Sequence, residues 1–509
     1  MRRGALSGVY VAAGCATLPA MRRIAPILLS SLIALPALAM TPEEALQEAV
    51  KNSPKFAETA LSVRQSQEQV RSQESLRPYT LRGEAGVNYA EQPSSGVIEE
   101  GVRESTFGSA SVSILKQYVY GTSLSLKLDF SRATARIPFV VPDFNISEIR
   151  EIGPNYAPSA QLQVSQPLLK NFGKDINDLP LQAARQQLDA VELQRLRAAH
   201  DLAAEVLNAY WRWVRTSLER DAVQAGLERT KTLAEFTVAQ IEAGQLAELE
   251  RDIVQQRVSQ AEQTLIISES SVGDAWEAFE RTLGRTPGSA PPATPEIPMP
   301  SAAPNLEAAL ESARRLSPDL QLLQADLATS KLQLIRSRNL TQPELNAVAT
   351  LTQGSLSENV GTAFGQVLGL DYTSAFLGLT FLMPLDNGLA EGQLSADMIA
   401  VERSQLRTRE AELGIEQTVR QAERLFTTQA RRVEMSNAEI ALARKNVDAI
   451  DAKYRAGLAS YLEVLDLQRT LEDSEIRNAQ ARVDVLTAHV NLLRVTGALL
   501  QEWNLTIGQ

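Results

Sequence analysis

The side chains that most often carry out chemistry are scarce in this 509-residue chain, which holds two histidines and a single cysteine. His200 and His489 stand alone in helical patterns, and each reads as a surface histidine rather than a catalyst. No stretch has metal-ligand spacing, and no glycine-rich loop is placed to cradle a phosphate. Trp211, Trp213 and Trp276 read as helix-packing residues. Carboxylates remain. Glu463 and Asp466 lie three apart in one helical pattern, and Glu250 follows an earlier turn. By themselves such residues read as a solvated helix face. No enzyme activity, metal or cofactor is expected.

The elements that must position those carboxylates are written twice. Thr41 through Ser53-Pro54 falls on Asn305 through Ser317-Pro318, and Ala243-Gly244, Arg281 and Gly284 fall on Ala456-Gly457, Arg494 and Gly497. Ser165-Gln166-Pro167-Leu168 answers Leu382-Met383-Pro384-Leu385. A unit of this length is too long for a solenoid repeat and implies two similar structural units. The expected organisation is an amino-terminal extension and signal at 1–39 and a first repeat at 40–284. A proline-rich linker at 285–304, a second repeat at 305–497 and a tail at 498–509 complete it.

Met21-Arg22-Arg23, the apolar run Ile24 to Leu38 and the site Ala37-Leu38-Ala39 read as a secretory signal, with Met21 a better start than Met1. Ala12-Ala13-Gly14-Cys15 competes as a lipoprotein site with Cys15 lipidated. Cleavage after Ala39 removes that cysteine, and with it any disulfide or thiol chemistry. The net charge of −11 becomes about −15 once four arginines leave with the leader, so a basic nucleic-acid surface is not expected. After the leader no apolar run reaches the length of a membrane helix, which leaves a β-barrel or a lipid anchor as the routes to a membrane.

Within each unit the period changes along the chain. Thr41 or Asn305 caps a short helix, Ser-Pro interrupts it, and a second helix runs to about Leu76 or Asn339. Alternation of period two follows at Leu81–Tyr89, Leu124–Phe130 and Leu162–Val164, and again at Leu345–Leu351 and Leu377–Phe381. Such strands suit a membrane barrel or a half-buried soluble sheet equally. The first unit holds an additional pair, Ser109 to Leu115 and Thr122 to Phe130, with no counterpart in the second. Helices of roughly 65 residues, about 100 Å long, then end at Ala-Gly turns before return helices of about 38 residues. Stacking a return helix on a first-helix segment would match the long helix in length. Four to six strands cannot close a barrel, so a cyclic assembly is required; three chains would supply twelve strands, or eighteen with the additional pair.

These residues resemble the TolC family of bacterial outer membrane efflux proteins. The resemblance rests on the duplication, the paired Ser-Pro breaks and strand-to-helix prolines, and above all on Tyr454-Arg455-Ala456-Gly457-Leu458-Ala459-Ser460-Tyr461-Leu462-Glu463-Val464-Leu465-Asp466. It implies a mainly α fold with a membrane β-barrel: a homotrimer with one outer membrane β-barrel and a long periplasmic α-helical barrel. Expected partners are a periplasmic adaptor (membrane fusion) protein, an inner-membrane pump and outer membrane lipid. By the same resemblance, Ala243, Gly244, Ala456, Gly457 and Leu458 are adaptor-docking tips. Glu463, Asp466 and Glu250 are entrance carboxylates that three-fold symmetry turns into rings, and Tyr454 helps close the entrance. A departure stands at Ala459, where the family has a basic residue. The expected function is a passive duct for drug or metal efflux. Its alternatives are the outer membrane component of a type I protein secretion system, or, from another class, a secreted coiled-coil scaffold or adaptor.

Overall fold

The computed structural model describes residues 40–75, 77–91, 104–141, 146–295, 297, 299 and 305–505. The leader, Cys15, and parts of the 285–304 linker and the tail lie outside the described residues. In chain order the elements are α1 (Pro42–Asn52), α2 (Pro54–Glu74), β1 (Thr80–Glu91), β2 (Glu104–Gln117), β3 (Ser123–Val141), β4 (Ile146–Pro167), α3 (Lys174–Asn177), α4 (Leu179–Glu242) and α5 (Leu249–Thr282). There follow α6 (Leu306–Leu316), α7 (Pro318–Leu340), β5 (Glu344–Gly354), α8 (Val360–Leu368), β6 (Thr373–Leu382), α9 (Gly388–Arg455), α10 (Tyr461–Thr496) and α11 (Leu499–Glu502).

Local chemistry sets the helix starts. Thr41 Oγ1 accepts from the Glu44 N–H at 3.2 Å while the Glu44 carboxylate accepts from the Thr41 N–H at 3.1 Å, a reciprocal cap that satisfies two orphan donors. Asn305 accepts from the Glu307 N–H at 3.0 Å. Ser53 and Ser317 are extended, with ψ of 116° and 117°, and each lets the following proline open a new helix where its missing N–H costs nothing.

The long helices are matched by stacked shorter ones. Both α2 and α5 pack along α4, and both α7 and α10 along α9. The 64 residues of α4 span about 96 Å, which neither the 34 residues of α5 nor the 21 of α2 could cover alone. At each joint a left-handed glycine ends the return helix against the last residue of the short first helix. A Cβ on Gly284 (φ 75°) would come within 2.7 Å of the Asn52 carbonyl oxygen, and one on Gly497 (φ 72°) within 2.7 Å of that of Leu316. Arg285 grips Glu48 with two guanidinium nitrogens across the first joint.

The main core gathers residues of α1, α4, α5, α9, α10 and α11. Trp213 is fully buried, with its ring centroid 4.9 Å from that of Trp276, and Tyr210 lies 5.6 Å from Phe279. The three tryptophans therefore pack helices, as their spacing suggested. Histidine 200 departs from expectation: it is buried, not on the surface. Burial lowers the pKa of His200, which keeps the ring neutral in the core. His489 is half-buried against Phe426.

The six strands form one antiparallel meander in sequence order. The additional pair lies within it, since β2 and β3 sit between β1 and β4. Below a register shift between Ala133 and Ala135 in the β3–β4 pair, side-chain parity holds across the sheet: Leu81, Ile114, Leu126, Leu162, Leu351 and Ala375 lie opposite one another strand by strand. The neighbouring row is Arg82, Ser113, Lys127, Gln161, Thr352 and Ser374. Along these rows one face is apolar and the other polar, although Phe107, Leu115, Phe376 and Leu382 share the polar side. Most of the apolar face is bare, with Val87 78% and Leu377 83% exposed. Among the described residues, strands β1 and β6 each pair on one side only.

Gly497→Ala places a Cβ against the Leu316 backbone at a left-handed φ and should cost about 1–3 kcal/mol. Gly273→Ala meets nothing within 4 Å in mid-helix and should stabilise by roughly 0.5–1 kcal/mol. Thermal unfolding of the purified protein reads both; equal midpoints would remove the joint from the packing argument.

Candidate functional site at the helical tips

Both long helices end in the same turn. Ala243 closes α4 and Ala456 closes α9, and the following Gly244 and Gly457 are left-handed at φ 76° and 71°. The Gln245 N–H donates to the Gln240 carbonyl at 2.9 Å, as the Leu458 N–H does to that of Lys453 at 2.9 Å. This six-to-one bond satisfies last-turn carbonyls and reverses the chain. Ala243, Gly244, Ala456, Gly457 and Leu458 are all exposed, so the five expected tip residues stand free at the apexes of two hairpins.

Beneath the apexes the hairpins are fastened to each other. Leu233 and Ala234 of α4, Val254 of α5, Tyr454 of α9, and Tyr461 and Val464 of α10 form a separate small core. Tyr454 is 4% exposed, and its hydroxyl lies 2.8 Å from Thr237 Oγ1. Thr237 gives its only proton to the Leu233 carbonyl at 2.8 Å, so Tyr454 is the donor of the pair. Burial, and secondarily the charge of Glu250, holds the Tyr454 hydroxyl above its usual pKa, and burial pushes Tyr461 up to about 12. Both phenols therefore stay neutral hydrogen-bonding groups. Phe236 meets Tyr454 edge-on at 5.8 Å, with the Arg455 guanidinium over its other side at 5.9 Å.

The three expected carboxylates are not equivalent. Glu463 is engaged at the start of α10, where its carboxylate accepts from the Ser460 N–H at 2.7 Å and from the Ser460 hydroxyl at 2.9 Å. Ser460 Oγ in turn accepts from the Glu463 N–H at 3.3 Å. These bonds from Ser460 hold the Glu463 carboxyl below its usual pKa. Asp466, one turn on, lies in a groove of about 750 Å³ between α5 and α10, beside Arg257, Arg469 and Glu472. Glu250 is half-buried in the first turn of α5, within electrostatic reach of both tyrosines. Thr237, Phe236 and Tyr461 escaped the sequence reading, since nothing in their spacing marks a cross-hairpin contact. The Ser460-x-x-Glu463 cap was legible as a capping box. Among the described residues no group of three or more His, Cys, Asp or Glu is placed to hold a metal ion.

Because the Glu463 carboxyl is lowered on folding, its contribution is present above the ordinary glutamate pKa of about 4.3 and is lost as pH falls through the lowered value. Amide hydrogen exchange in the first turn of α10 should therefore accelerate, relative to mid-helix amides, as pH drops through that window. Ser460→Ala should cost about 1 kcal/mol of helix-start stability and flatten the pH dependence. An unchanged pH profile in that variant would show that the cap does not operate.

Residues 309–498, most of the second unit, match the family described as outer membrane efflux protein. No curated protein matches the chain. Solved structures share the fold along most of its length. The outer membrane protein VceC from Vibrio cholerae is 14% identical, with 90% of this chain and 96% of that one covered at a TM-score of 0.63. A membrane protein from Pseudomonas aeruginosa is 19% identical, with 90% and 92% covered at 0.61. The open state of the MtrE outer membrane channel of Neisseria gonorrhoeae is 14% identical, with 90% and 89% covered at 0.62. The second unit thus carries the match to the outer membrane efflux protein family, and across 90% of its length the chain shares its fold with solved outer membrane proteins.

Proposed function

We propose that this chain forms the outer membrane channel of a tripartite efflux system, a passive duct for small molecules across periplasm and outer membrane. The family matched by residues 309–498 is described as outer membrane efflux protein, which supports this reading. The observation that carries the reading is the parity of the sheet: six strands in register present one bare apolar face and one polar face. A soluble scaffold would have to leave that face against water, whereas a membrane wall needs it.

Closure requires copies, because six strands fall short of the smallest barrels and both edge strands are open. A homotrimer of this chain would supply eighteen strands and ring the paired helical columns into one periplasmic tube. The tips Ala243, Gly244, Ala456, Gly457 and Leu458 would then point away from the membrane toward a periplasmic adaptor, with an inner-membrane pump as the energy source. Asp466 and Glu250 are the better candidates for entrance rings, since Glu463 is occupied by Ser460. Tyr454 would act in closure through the Thr237 bond, which ties one hairpin tip to the other.

Light scattering or native mass spectrometry of the chain extracted from outer membranes should return three copies. A water-soluble monomer would leave the apolar face unexplained and end the duct reading. In planar bilayers Asp466→Asn should reduce cation preference and divalent block severalfold without altering thermal stability, while unchanged selectivity would take Asp466 out of the permeation path.

A further inference from the structure

We propose that α8 is an interfacial helix embedded among the acyl chains of the outer leaflet. The inference rests on the reading of the apolar sheet face as lipid-facing. Helix α8 joins the ends of β5 and β6 that lie away from the long helices, and it folds back onto β4 and β5. Phe364 stacks on Phe130 at 5.6 Å and 11°, and Phe130 on Tyr156 at 6.1 Å and 22°. Phe130 and Tyr156 share the parity of Leu126 and Leu162, so the helix lies on the apolar face and not in the polar interior. The Ser355 hydroxyl donates to the Ala363 carbonyl at 2.7 Å and Ala363 is fully buried, which fixes the helix to the wall.

The outward side of α8 is apolar. The segment Val-Gly-Thr-Ala-Phe-Gly-Gln-Val-Leu carries no charge between Glu358 and Asp371, and Phe364, Leu368 and Leu370 are exposed, Leu368 at 83%. A water-facing loop would leave these residues solvated at a cost. A neighbouring copy is the weaker occupant, because α8 lies chiefly over β4, away from the β6 edge where another chain would pair. Height gives an independent argument. On β3 the apolar positions run from Leu124 to Phe130 before Arg132, about 20 Å along the strand, which is short of the ~25 Å apolar band of a membrane wall. A helix about 10 Å thick, lying at the upper end of that stretch, supplies the missing apolar height.

The test uses the full-length chain with Cys15 replaced by serine and an environment-sensitive fluorophore on a single introduced cysteine, reconstituted in vesicles. Leu368→Cys probes α8, Leu377→Cys the apolar face, and Leu458→Cys the water-exposed tip. A nitroxide on lipid acyl chains should quench the labels at 368 and 377 severalfold more than a water-soluble nickel chelate does, with the reverse at 458. Lipid quenching at 377 but aqueous quenching at 368 overturns the inference and leaves the duct intact. Shielding of 368 from both quenchers would mean that protein covers it, which also overturns it. Aqueous quenching at 377 would bring down the duct reading and the inference together.

Discussion

In a hydrocarbon slab every backbone N–H and C=O must find a partner within the protein, and on the proposed reading this constraint organises the molecule. A meander in sequence order meets it with five interfaces and leaves two open edges, β1 and β6. On the proposed duct reading further copies would satisfy those edges, so that the number of chains would follow from the sheet and not from the helices. Register then has to be held across all six strands, because a slip of one residue would turn an apolar row toward the polar side. The hairpin at Gln117 to Ser123 and the strand-to-helix turn after Pro167 hold that register at the lower rim. There Thr122 bonds Gln166, and the side chains of Asn171 and Asn339 join the two units at 2.9 Å.

The helical part answers a different demand, that of reaching far with little hydrophobic core. Two helices of 64 and 68 residues are each flanked by two shorter ones set end to end, so every level of the column has neighbours although no second helix runs the full distance. Breaking the partner column at Ser-Pro and Gly lets its two parts be fixed separately. The large aromatic core holds the middle, and a small core of six residues holds the tips. Within the tip core a buried bond between side chains, Tyr454 to Thr237, ties one hairpin to the other.

Much of this was legible in the sequence, because it is encoded by local rules. The caps at Thr41 and Asn305, the Ser-Pro breaks, the glycine turns and the cores of all six strands follow from spacing within a few residues. What escaped depends on distant neighbours. Strands β3 and β4 reach 19 and 22 residues because they support each other beyond the end of β5, which no single-strand pattern reveals. Helix α8 was invisible as nine apolar, glycine-bearing residues between two strands. The burial of His200 comes from a packing of several helices, whereas the Ser460-x-x-Glu463 cap is readable from spacing alone. The candidate site was thus legible in its apexes and not in the contacts beneath them.

The polar face of the sheet has a consequence for what can leave through it. Its side chains are mostly hydroxyls and amides, among them Ser111, Ser113, Ser125, Gln161, Gln163, Thr350 and Thr352. Charges there include two short-range couples, Arg82 with Glu84 at 3.4 Å and Lys127 with Asp129 at 3.4 Å, while Glu344 near the helical end accepts from the Asn346 amide at 2.9 Å. Couples of this kind cancel within a few ångströms and cast little field across a water-filled bore. On the duct reading, an exit lined in this way would discriminate chiefly by girth, and sorting by sign of charge would fall mainly to the opposite end of the molecule.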